Sequence, residues 1–306
     1  MTTLPKPKLL HAPDLPSPAR AQPPTRQRVR VAAVQERWHG DPAAQAEAIA
    51  AGVRIAAGAG ARLICTQELT LSPYFAITSD SGAEAESIPD GRSCRFAIAL
   101  ATETGAYVLA SLFEASTEAG LGYDTAIVAS PEGKVVVRTR KVHIPGGSGY
   151  HEDHYFQPGR GPDGSDILEL DQGRFGFPTC YDQWFPELAR LYSLQGAEVI
   201  VYPSAIGSEP EHPDFDTEAQ WESVIVANGI MNGTFMIAVN RIGAEGPVTF
   251  YGSSFISDPY GRKLVQAPRD EPAVLVADLD LDQRRDWLDL FPLLRGRRPE
   301  AYGRLV

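Results

Sequence analysis

The sequence predicts an α/β protein in which parallel and antiparallel strands share the same sheets. Short apolar segments alternate with segments of helical length, a pattern typical of sheets covered by helices. Other apolar segments are separated only by short polar turns, which join antiparallel neighbours. We therefore expect mixed sheets rather than a purely parallel sheet.

The first half of the chain predicts strands that are separated by two helices. Asp41 and Pro42 favour a helix start, whereas Gly58 and Gly105 favour helix ends. Residues 130–133 have the composition of a turn, so the strands on either side of them are expected to pair as a hairpin. The predicted strands cover residues 29–34, 61–65, 106–112, 124–129, 134–139 and 167–170, and the predicted helices cover residues 42–57 and 92–104.

The second half of the chain continues this pattern around Cys180. Phe175 and Phe177 alternate with small residues as in a buried strand, and Pro186 opens a run of helix-forming residues. Cys180 is therefore expected at a turn from strand to helix, where backbone N–H groups and the helix N-terminus favour the thiolate. The remaining predicted strands cover residues 198–202, 234–240, 251–257 and 274–278, and a further helix covers residues 221–232.

The two ends of the chain are expected to lie outside the main domain. Seven prolines occur in residues 1–28, with little that could pack, which predicts a flexible arm. Residues 29–306 are long enough for one large core, and we expect a single domain with a carboxy-terminal tail from about residue 284.

Composition excludes several classes of partner. The net charge of −11 argues against binding to nucleic acid or to an anionic membrane surface, because both require clustered Lys and Arg. No segment reaches the roughly 20 apolar residues of a membrane span. The three cysteines show no disulfide-framework spacing, which indicates a cytoplasmic protein. We expect no cofactor and no metal, since His143, His151 and His154 match no strong ligand motif.

Three reactive side chains each follow a predicted strand. Glu68 comes after the second strand, Lys141 after the hairpin, and Cys180 after the strand that contains Phe175. Side chains at the ends of strands in an α/β sheet converge on the crevice where ligands bind. We therefore expect these three side chains to meet in one site.

The residues around these side chains resemble the three catalytic blocks of the nitrilase, or carbon–nitrogen hydrolase, superfamily. The blocks are Gln67-Glu68-Leu69, Arg140-Lys141-Val142-His143-Ile144-Pro145 and Cys180-Tyr181-Asp182-Gln183-Trp184-Phe185-Pro186-Glu187. The resemblance extends from Val29 to about Tyr302. Residues 202–210, 240–243 and 250–255 are similar to N-carbamoylputrescine amidases in particular.

The resemblance implies a fold and a set of residue roles. The implied fold is a four-layer α-β-β-α sandwich of two mixed β-sheets, associated through helical faces into homo-oligomers. Cys180 would be the nucleophile, Glu68 the general base, Lys141 the cation beside the developing oxyanion, and Glu152 the carboxylate next to that lysine. The expected substrate-binding residues are Tyr74, Tyr181, Asp182, Trp184, Ser204 and Ala205.

The implied activity is hydrolysis of a terminal ureido or amide C–N bond with release of ammonia. A small-molecule substrate is expected, with N-carbamoylputrescine giving putrescine, carbon dioxide and ammonia as the leading reaction. Relatives that act on N-carbamoyl amino acids often carry arginine just after the nucleophile, whereas this chain has Asp182, Gln183 and Trp184 there. Five acidic residues in the segment 207–220 could instead receive a terminal ammonium.

Other functions remain open at this point. The substrate could be another N-carbamoyl compound, of the β-ureidopropionase or N-carbamoyl amino acid type, or an aliphatic amide. Nitrile hydrolysis is less expected, because nitrilases proper often follow the cysteine with Trp-Glu and this chain has Tyr181-Asp182. A catalytically silent nitrilase-like binding scaffold is the alternative from another class, although such a protein should lack one of the three reactive residues.

Overall fold

Two mixed β-sheets form the centre of the fold. The computed structural model describes residues 6–116 and 120–304. Within these residues the strands are β1 Lys8–His11, β2 Val29–Gln35, β3 Leu63–Thr66, β4 Tyr107–Glu114, β5 Tyr123–Ala129, β6 Val135–Arg140, β7 Ile167–Leu170, β8 Gly173–Gly176, β9 Val199–Pro203, β10 Phe235–Val239, β11 Ile242–Glu245, β12 Val248–Tyr251, β13 Phe255–Ser257, β14 Lys263–Gln266 and β15 Ala273–Leu279. The α-helices are α1 Pro42–Gly58, α2 Arg92–Thr104, α3 Pro186–Leu194, α4 Glu218–Asn232 and α5 Asp282–Leu290.

Each sheet combines parallel and antiparallel strands, as the short turns predict. The larger sheet has the order β1-β15-β2-β3-β4-β5-β6, in which β2, β3 and β4 are parallel and β4, β5 and β6 are antiparallel. The other sheet has the order β14-β13-β10-β9-β8-β7, in which β8, β9 and β10 are parallel. Strands β11 and β12 form a separate hairpin.

The elements stack in four layers. The inner faces of the two sheets meet in one apolar core, to which Val31 and Leu109 contribute from the larger sheet and Phe175 and Val201 from the other. Helices α1 and α2 cover the outer face of the larger sheet, and α3 and α4 cover the outer face of the other. Burial of each large apolar side chain stabilises the fold by about 1.5–3 kcal/mol. The expected α-β-β-α sandwich is therefore confirmed.

Local signals in the sequence place several element ends correctly. The Asp41 side chain accepts hydrogen bonds from the backbone N–H groups of Ala43 and Ala44 at the start of α1. Gly105 ends α2 with a left-handed φ of 68°, a conformation in which glycine avoids the steric cost of a Cβ. Strands β5 and β6 pair antiparallel around the predicted turn.

The amino-terminal segment differs from the expected flexible arm. Residues 8–11 form β1, which pairs parallel with β15 at the edge of the larger sheet. Farther along, Arg20 forms ion pairs with Asp280 and Asp286, and the backbone N–H of Thr25 donates to Asp282. In the structure the edge of β15 and the acidic residues around the start of α5 supply partners to this part of the chain, which local composition cannot reveal. Residues 1–5 lie outside the described residues.

Two further predictions need correction. Residues 251–257 do not form one strand: Gly252 and Ser253 have φ values of 55° and 54°, so the chain turns there and passes from the hairpin strand β12 to β13. The tail expected from about residue 284 begins inside helix α5. This helix is held against α4 by a hydrogen bond from the Trp287 indole N–H to the carbonyl oxygen of Ile230. No helix in the described parts of the chain is long and apolar enough to cross a membrane.

Candidate active site

The structure brings Glu68, Lys141 and Cys180 together where β3, β6 and β8 end. The ammonium Nζ of Lys141 lies 2.8 Å from Oε1 of Glu68. It lies 2.5 Å from Oε2 of Glu152, which a short 3₁₀ helix over Glu152–His154 carries. These side chains are at most 1% exposed, so their charges interact in a space closed to bulk water.

Asp124 is a further member of this cluster that the sequence did not single out. It lies on β5, and its Oδ2 is 3.4 Å from Nζ of Lys141. Its backbone carbonyl accepts the N–H of Lys141, which fixes the start of one hairpin strand against the end of the other. The available signal was an acidic residue inside an otherwise apolar strand, since a buried carboxylate needs a partner.

The carboxylates of Glu68, Asp124 and Glu152 have oxygen atoms within 4.8 Å of one another. Such a group is able to bind a hard divalent cation. Here the Lys141 ammonium already lies within 3.4 Å of all three carboxylates, so the chain itself supplies the positive charge of the site.

Burial and charge shift the pKa values of this cluster in opposite senses. Burial raises the pKa of Glu68 well above its usual range; the Lys141 charge lowers it, and the charges of Asp124 and Glu152 raise it again. For Lys141, burial lowers the pKa, but the charges of Glu152 and Glu68 outweigh burial and raise it. Lys141 is therefore held as a cation, while Glu68 has the affinity for protons that a general base requires.

Cys180 lies at a strained turn beside these groups. Its φ is 37°, a left-handed conformation that is costly for a residue with a Cβ, and it opens a 3₁₀ helix over Cys180–Trp184 that precedes α3. Burial raises the pKa of the Cys180 thiol, the Glu68 charge raises it further, and Lys141 and the backbone N–H of Ala205 lower it. Together these effects raise the pKa of the Cys180 thiol well above its usual range, so the thiol needs a base to become the thiolate that the turn was expected to favour.

Asp182 was predicted to contact the substrate, but the structure fully buries its side chain away from the cavity described below. Its carboxylate accepts a hydrogen bond from the backbone N–H of Thr179 at 3.1 Å and another from the backbone N–H of His143 at 2.9 Å. Nδ1 of the His143 ring lies 2.8 Å from Oδ1 of the same carboxylate. Asp182 thereby ties the turn that carries Cys180 to the segment that follows Lys141.

The other predicted substrate-binding residues divide into two groups. Tyr181, Trp184 and Ala205 line the cavity beside Cys180. Tyr74 and Ser204 are fully buried and do not line it: the Tyr74 hydroxyl donates to Oε1 of Glu152 at 2.7 Å, and the Ser204 hydroxyl donates to the carbonyl of Tyr202 at 3.3 Å.

The cavity has a volume of about 590 Å³, large enough for a small organic substrate. Two of the five acids in the segment 207–220, Glu209 and Glu211, line it. Burial raises the pKa of Glu209. Asp216 and Glu218 instead pair with Arg269, so only part of the acidic segment faces the cavity.

Arg241 is a buried cation that supports the turn after β3. Its guanidinium pairs with Glu245 at 2.6 Å and donates to the carbonyl oxygens of Glu68, Leu69 and Ser72. The turn needs this support because Leu69 adopts a left-handed φ of 49°. In the sequence, residues 240–243 stand out only as part of the resemblance, and nothing there indicates this contact.

Known proteins match the chain over most of its length. Residues 30–289 match the family model described as carbon-nitrogen hydrolase. The chain is 34% identical to a citrullinase of Francisella tularensis over 91% of this chain and 98% of that protein. It is 37% identical to an N-carbamoylputrescine amidase of Solanum lycopersicum over 83% and 87%. A solved carbon-nitrogen hydrolase of Helicobacter pylori superposes with a TM-score of 0.80 at 30% identity, over 91% of this chain and 98% of that one.

Proposed function

The chain belongs to the carbon–nitrogen hydrolase family, and we propose that it hydrolyses the terminal ureido group of N-carbamoylputrescine to give putrescine, carbon dioxide and ammonia. Family membership makes it an enzyme that acts on amide or ureido groups. The observation that supports this substrate is the acidic wall of the cavity, formed by Glu209 and Glu211.

The first half of the proposed reaction uses Cys180, Glu68 and Lys141. Two nitrogens donate electrons into a ureido carbonyl, so only a strong nucleophile attacks it. Glu68 takes the thiol proton as the sulfur of Cys180 bonds to the carbonyl carbon. Glu68 and Glu152 occupy two of the three N–H groups of the Lys141 ammonium, and the third is proposed to donate to the oxyanion. The backbone N–H of Tyr181 is a second proposed donor.

The second half returns the enzyme to its starting state. Glu68 gives its proton to the leaving nitrogen, ammonia departs, and a carbamoyl group remains on the sulfur of Cys180. Glu68 then accepts a proton from water as the water oxygen attacks the carbonyl carbon, and the C–S bond breaks. The released carbamic acid decomposes to carbon dioxide and the free amine.

The charge of the cavity wall favours an amine over an acid at the far end of the substrate. Among the lining residues that the structure describes, none is arginine or lysine, so a carboxylate would lose its hydration without gaining a strong cationic partner. A terminal ammonium would instead meet Glu209, whose half-buried position strengthens a charge-assisted hydrogen bond.

Citrulline is the second candidate substrate. The similarity to a citrullinase over nearly the whole of that protein favours it, and citrulline carries the same terminal ureido group. Its α-ammonium would fit Glu209, whereas its carboxylate would have only His212 as a basic neighbour in the cavity wall. Other N-carbamoyl compounds and aliphatic amides remain further candidates, because the same thiol chemistry acts on them.

We propose in addition a cellular compartment and an assembly state for the enzyme. All three cysteines are free, as expected for a protein of the reducing cytoplasm. Apolar side chains exposed on α3, α4 and α5, among them Leu194, Met231 and Leu290, are proposed to form a contact between copies of the chain. A homo-oligomer in the cytoplasm that acts on small molecules is the resulting hypothesis.

Ammonia release from a substrate panel tests the proposed activity. The panel contains N-carbamoylputrescine, L-citrulline, N-carbamoyl-β-alanine, aliphatic amides and nitriles, with Cys180→Ala as the inactive control. We expect the highest kcat/KM with N-carbamoylputrescine. Equal rates on N-carbamoylputrescine and N-carbamoyl-β-alanine would contradict the proposed preference for an amine.

The Glu209→Gln variant tests the role of the acidic wall. Loss of a charge-assisted hydrogen bond is expected to raise KM for N-carbamoylputrescine by about 10- to 100-fold. A neutral aliphatic amide should show no such change. Asp214→Asn is the matched control, because Asp214 is an exposed acid of the same segment that does not line the cavity. An unchanged KM in Glu209→Gln would rule out Glu209 as the ammonium partner.

A further inference from the structure

The ionised carboxylates around Lys141 would outnumber its single positive charge. Three buried carboxylates, those of Glu68, Asp124 and Glu152, face one ammonium, which would leave a net charge of −2 if all were ionised. An uncompensated charge in a site closed to water is costly, and carboxyl groups in this position take up a proton instead. The cluster therefore holds at least one proton besides those of Lys141.

The hydrogen bonds show where this proton belongs. Both oxygens of Glu152 have donors, because Oε1 accepts from the Tyr74 hydroxyl and Oε2 from Lys141. Glu68 uses only Oε1, and Asp124 uses only Oδ1, which accepts from the Ser111 hydroxyl at 3.2 Å. Oε2 of Glu68 and Oδ2 of Asp124 are buried and have no hydrogen-bond partner among the described residues. An oxygen atom of the Asp124 carboxyl lies within 4.8 Å of an oxygen atom of the Glu68 carboxyl.

We propose that Glu68 and Asp124 share one proton, so that Asp124 is a positioning residue that supplies a hydrogen-bond donor to the general base. The proton would satisfy both buried oxygens that lack partners and reduce the net charge of the cluster to −1. This inference rests on the proposed function, in which Glu68 is the base.

The remaining groups around Asp124 are consistent with this arrangement. Lys141 lies 3.4 Å from it, Glu68 and Glu152 each have a carboxylate oxygen within 4.8 Å of it, and the Ser111 hydroxyl on β4 donates to its Oδ1. The Tyr74 hydroxyl donates to Glu152 rather than to Asp124. Apart from the Lys141 ammonium, which lies 3.4 Å from Oδ2 of Asp124 without forming a hydrogen bond to it, this oxygen and Oε2 of Glu68 have no donor among the described residues.

The shared proton sets the charge of the pair during the reaction. In the resting state the pair holds one proton and carries one negative charge. When the S–H bond of Cys180 breaks, Glu68 gains its proton, and the pair becomes neutral while negative charge moves to the substrate oxyanion. If the shared proton is lost at alkaline pH, two adjacent negative charges oppose ionisation of the thiol. We therefore expect kcat/KM to fall as the pair loses its proton.

The variants Asp124→Asn and Asp124→Ala test the inference, with kcat and kcat/KM measured across pH. The Asn amide keeps a donor for Glu68 at every pH, so the alkaline limb of kcat/KM should move up by about one pH unit or more. Ala leaves Glu68 without a donor, and kcat near pH 7 should fall by about 10- to 100-fold. Asp171→Asn, an exposed acid in the turn between β7 and β8, is the control for loss of charge and should keep the profile of the unmodified enzyme.

Several results would overturn the inference. One is an Asp124→Asn profile that coincides with that of the unmodified enzyme. Another is full activity in Asp124→Ala. Loss of activity in a stably folded Asp124→Asn protein would also contradict it, because the amide preserves the donor.

An infrared measurement decides the question independently of turnover. The unmodified protein should show the C=O stretch of a buried protonated carboxyl group at neutral pH, and this band should disappear on the alkaline side. Its absence would overturn the inference even if the variants fail to fold. If the protein hydrolyses no member of the substrate panel, the proposed function fails, yet the band still tests the shared proton.

Discussion

At the level of single residues, Glu152 holds the Lys141 ammonium in place. Its Oε2 lies 2.5 Å from the ammonium, and Tyr74 donates to its other oxygen at 2.7 Å. Burial raises the pKa of Glu152, whereas the Lys141 charge lowers it. A carboxylate fixed from both sides fixes the ammonium in turn, so we propose that Glu152 is a positioning residue for the oxyanion.

Glu152→Gln is expected to lower kcat about 100-fold with a smaller effect on KM, because the amide cannot hold the ammonium by charge. Tyr74→Phe removes only one neutral donor and should lower kcat by about 3- to 10-fold. Asp153→Asn, at the exposed neighbouring position, is the matched control. Full turnover in Glu152→Gln, with only a lower melting temperature, would assign Glu152 a purely structural role.

At the level of elements, the amino-terminal strand β1 completes the larger sheet. It pairs with β15 over residues 8–11, and Leu10, Ala12 and Leu15 pack against the core between the sheets. The segment that follows is held by ion pairs of Arg20 with Asp280, which precedes α5, and with Asp286 inside that helix. Strand β1 therefore covers the edge of β15, which would otherwise expose unpaired backbone N–H and C=O groups.

Deletion of residues 1–12 is expected to lower the melting temperature by about 2–5 °C and to promote aggregation, because the edge of β15 becomes exposed. Thermal unfolding and light scattering measure both effects. Deletion of residues 1–5, which precede β1, is the matched control and should leave the melting temperature unchanged. The two deletions would behave alike if β1 contributed nothing to stability.

At the level of the whole molecule, one face carries several exposed apolar side chains. Leu191 and Leu194 of α3, Met231 of α4 and Leu290 of α5 are 38–58% exposed. Nearby, Ile230, Trp287 and Phe291 border a cavity of about 440 Å³ between α4, α5 and the following segment. Exposed apolar side chains near an open cavity are characteristic of protein interfaces, so we expect these residues to mediate self-association.

Leu194→Glu is expected to convert the assembly into a smaller species in analytical ultracentrifugation, since a charge at an apolar contact is left without a partner. Val136→Glu is the matched control, because Val136 is 44% exposed but lies on the edge strand β6 away from this face. A monomeric unmodified protein, or dissociation by Val136→Glu alone, would refute this interface.

Much of the fold could be predicted because its signals are local. The cap at Asp41, the glycine at the end of α2 and the turn between β5 and β6 act within a few residues, so the sequence alone identified these elements. The same holds for Glu68, Lys141 and Cys180, which were singled out by their positions after strands. Strand β1 was missed because its partner β15 lies more than 250 residues away in the chain.

The sequence by itself predicted the kind of chemistry, because the residues around Glu68, Lys141 and Cys180 resemble the catalytic blocks of carbon–nitrogen hydrolases, and the match of residues 30–289 to that family confirms the membership. Only the tertiary structure showed which side chains surround these three residues. It added Asp124 to the cluster, moved Asp182 from substrate contact to support of the turn, and separated Glu209 from the acids that pair with Arg269. The reason is physical: the pKa and the role of a side chain depend on burial and on neighbours within a few ångströms, and those neighbours come from distant parts of the chain.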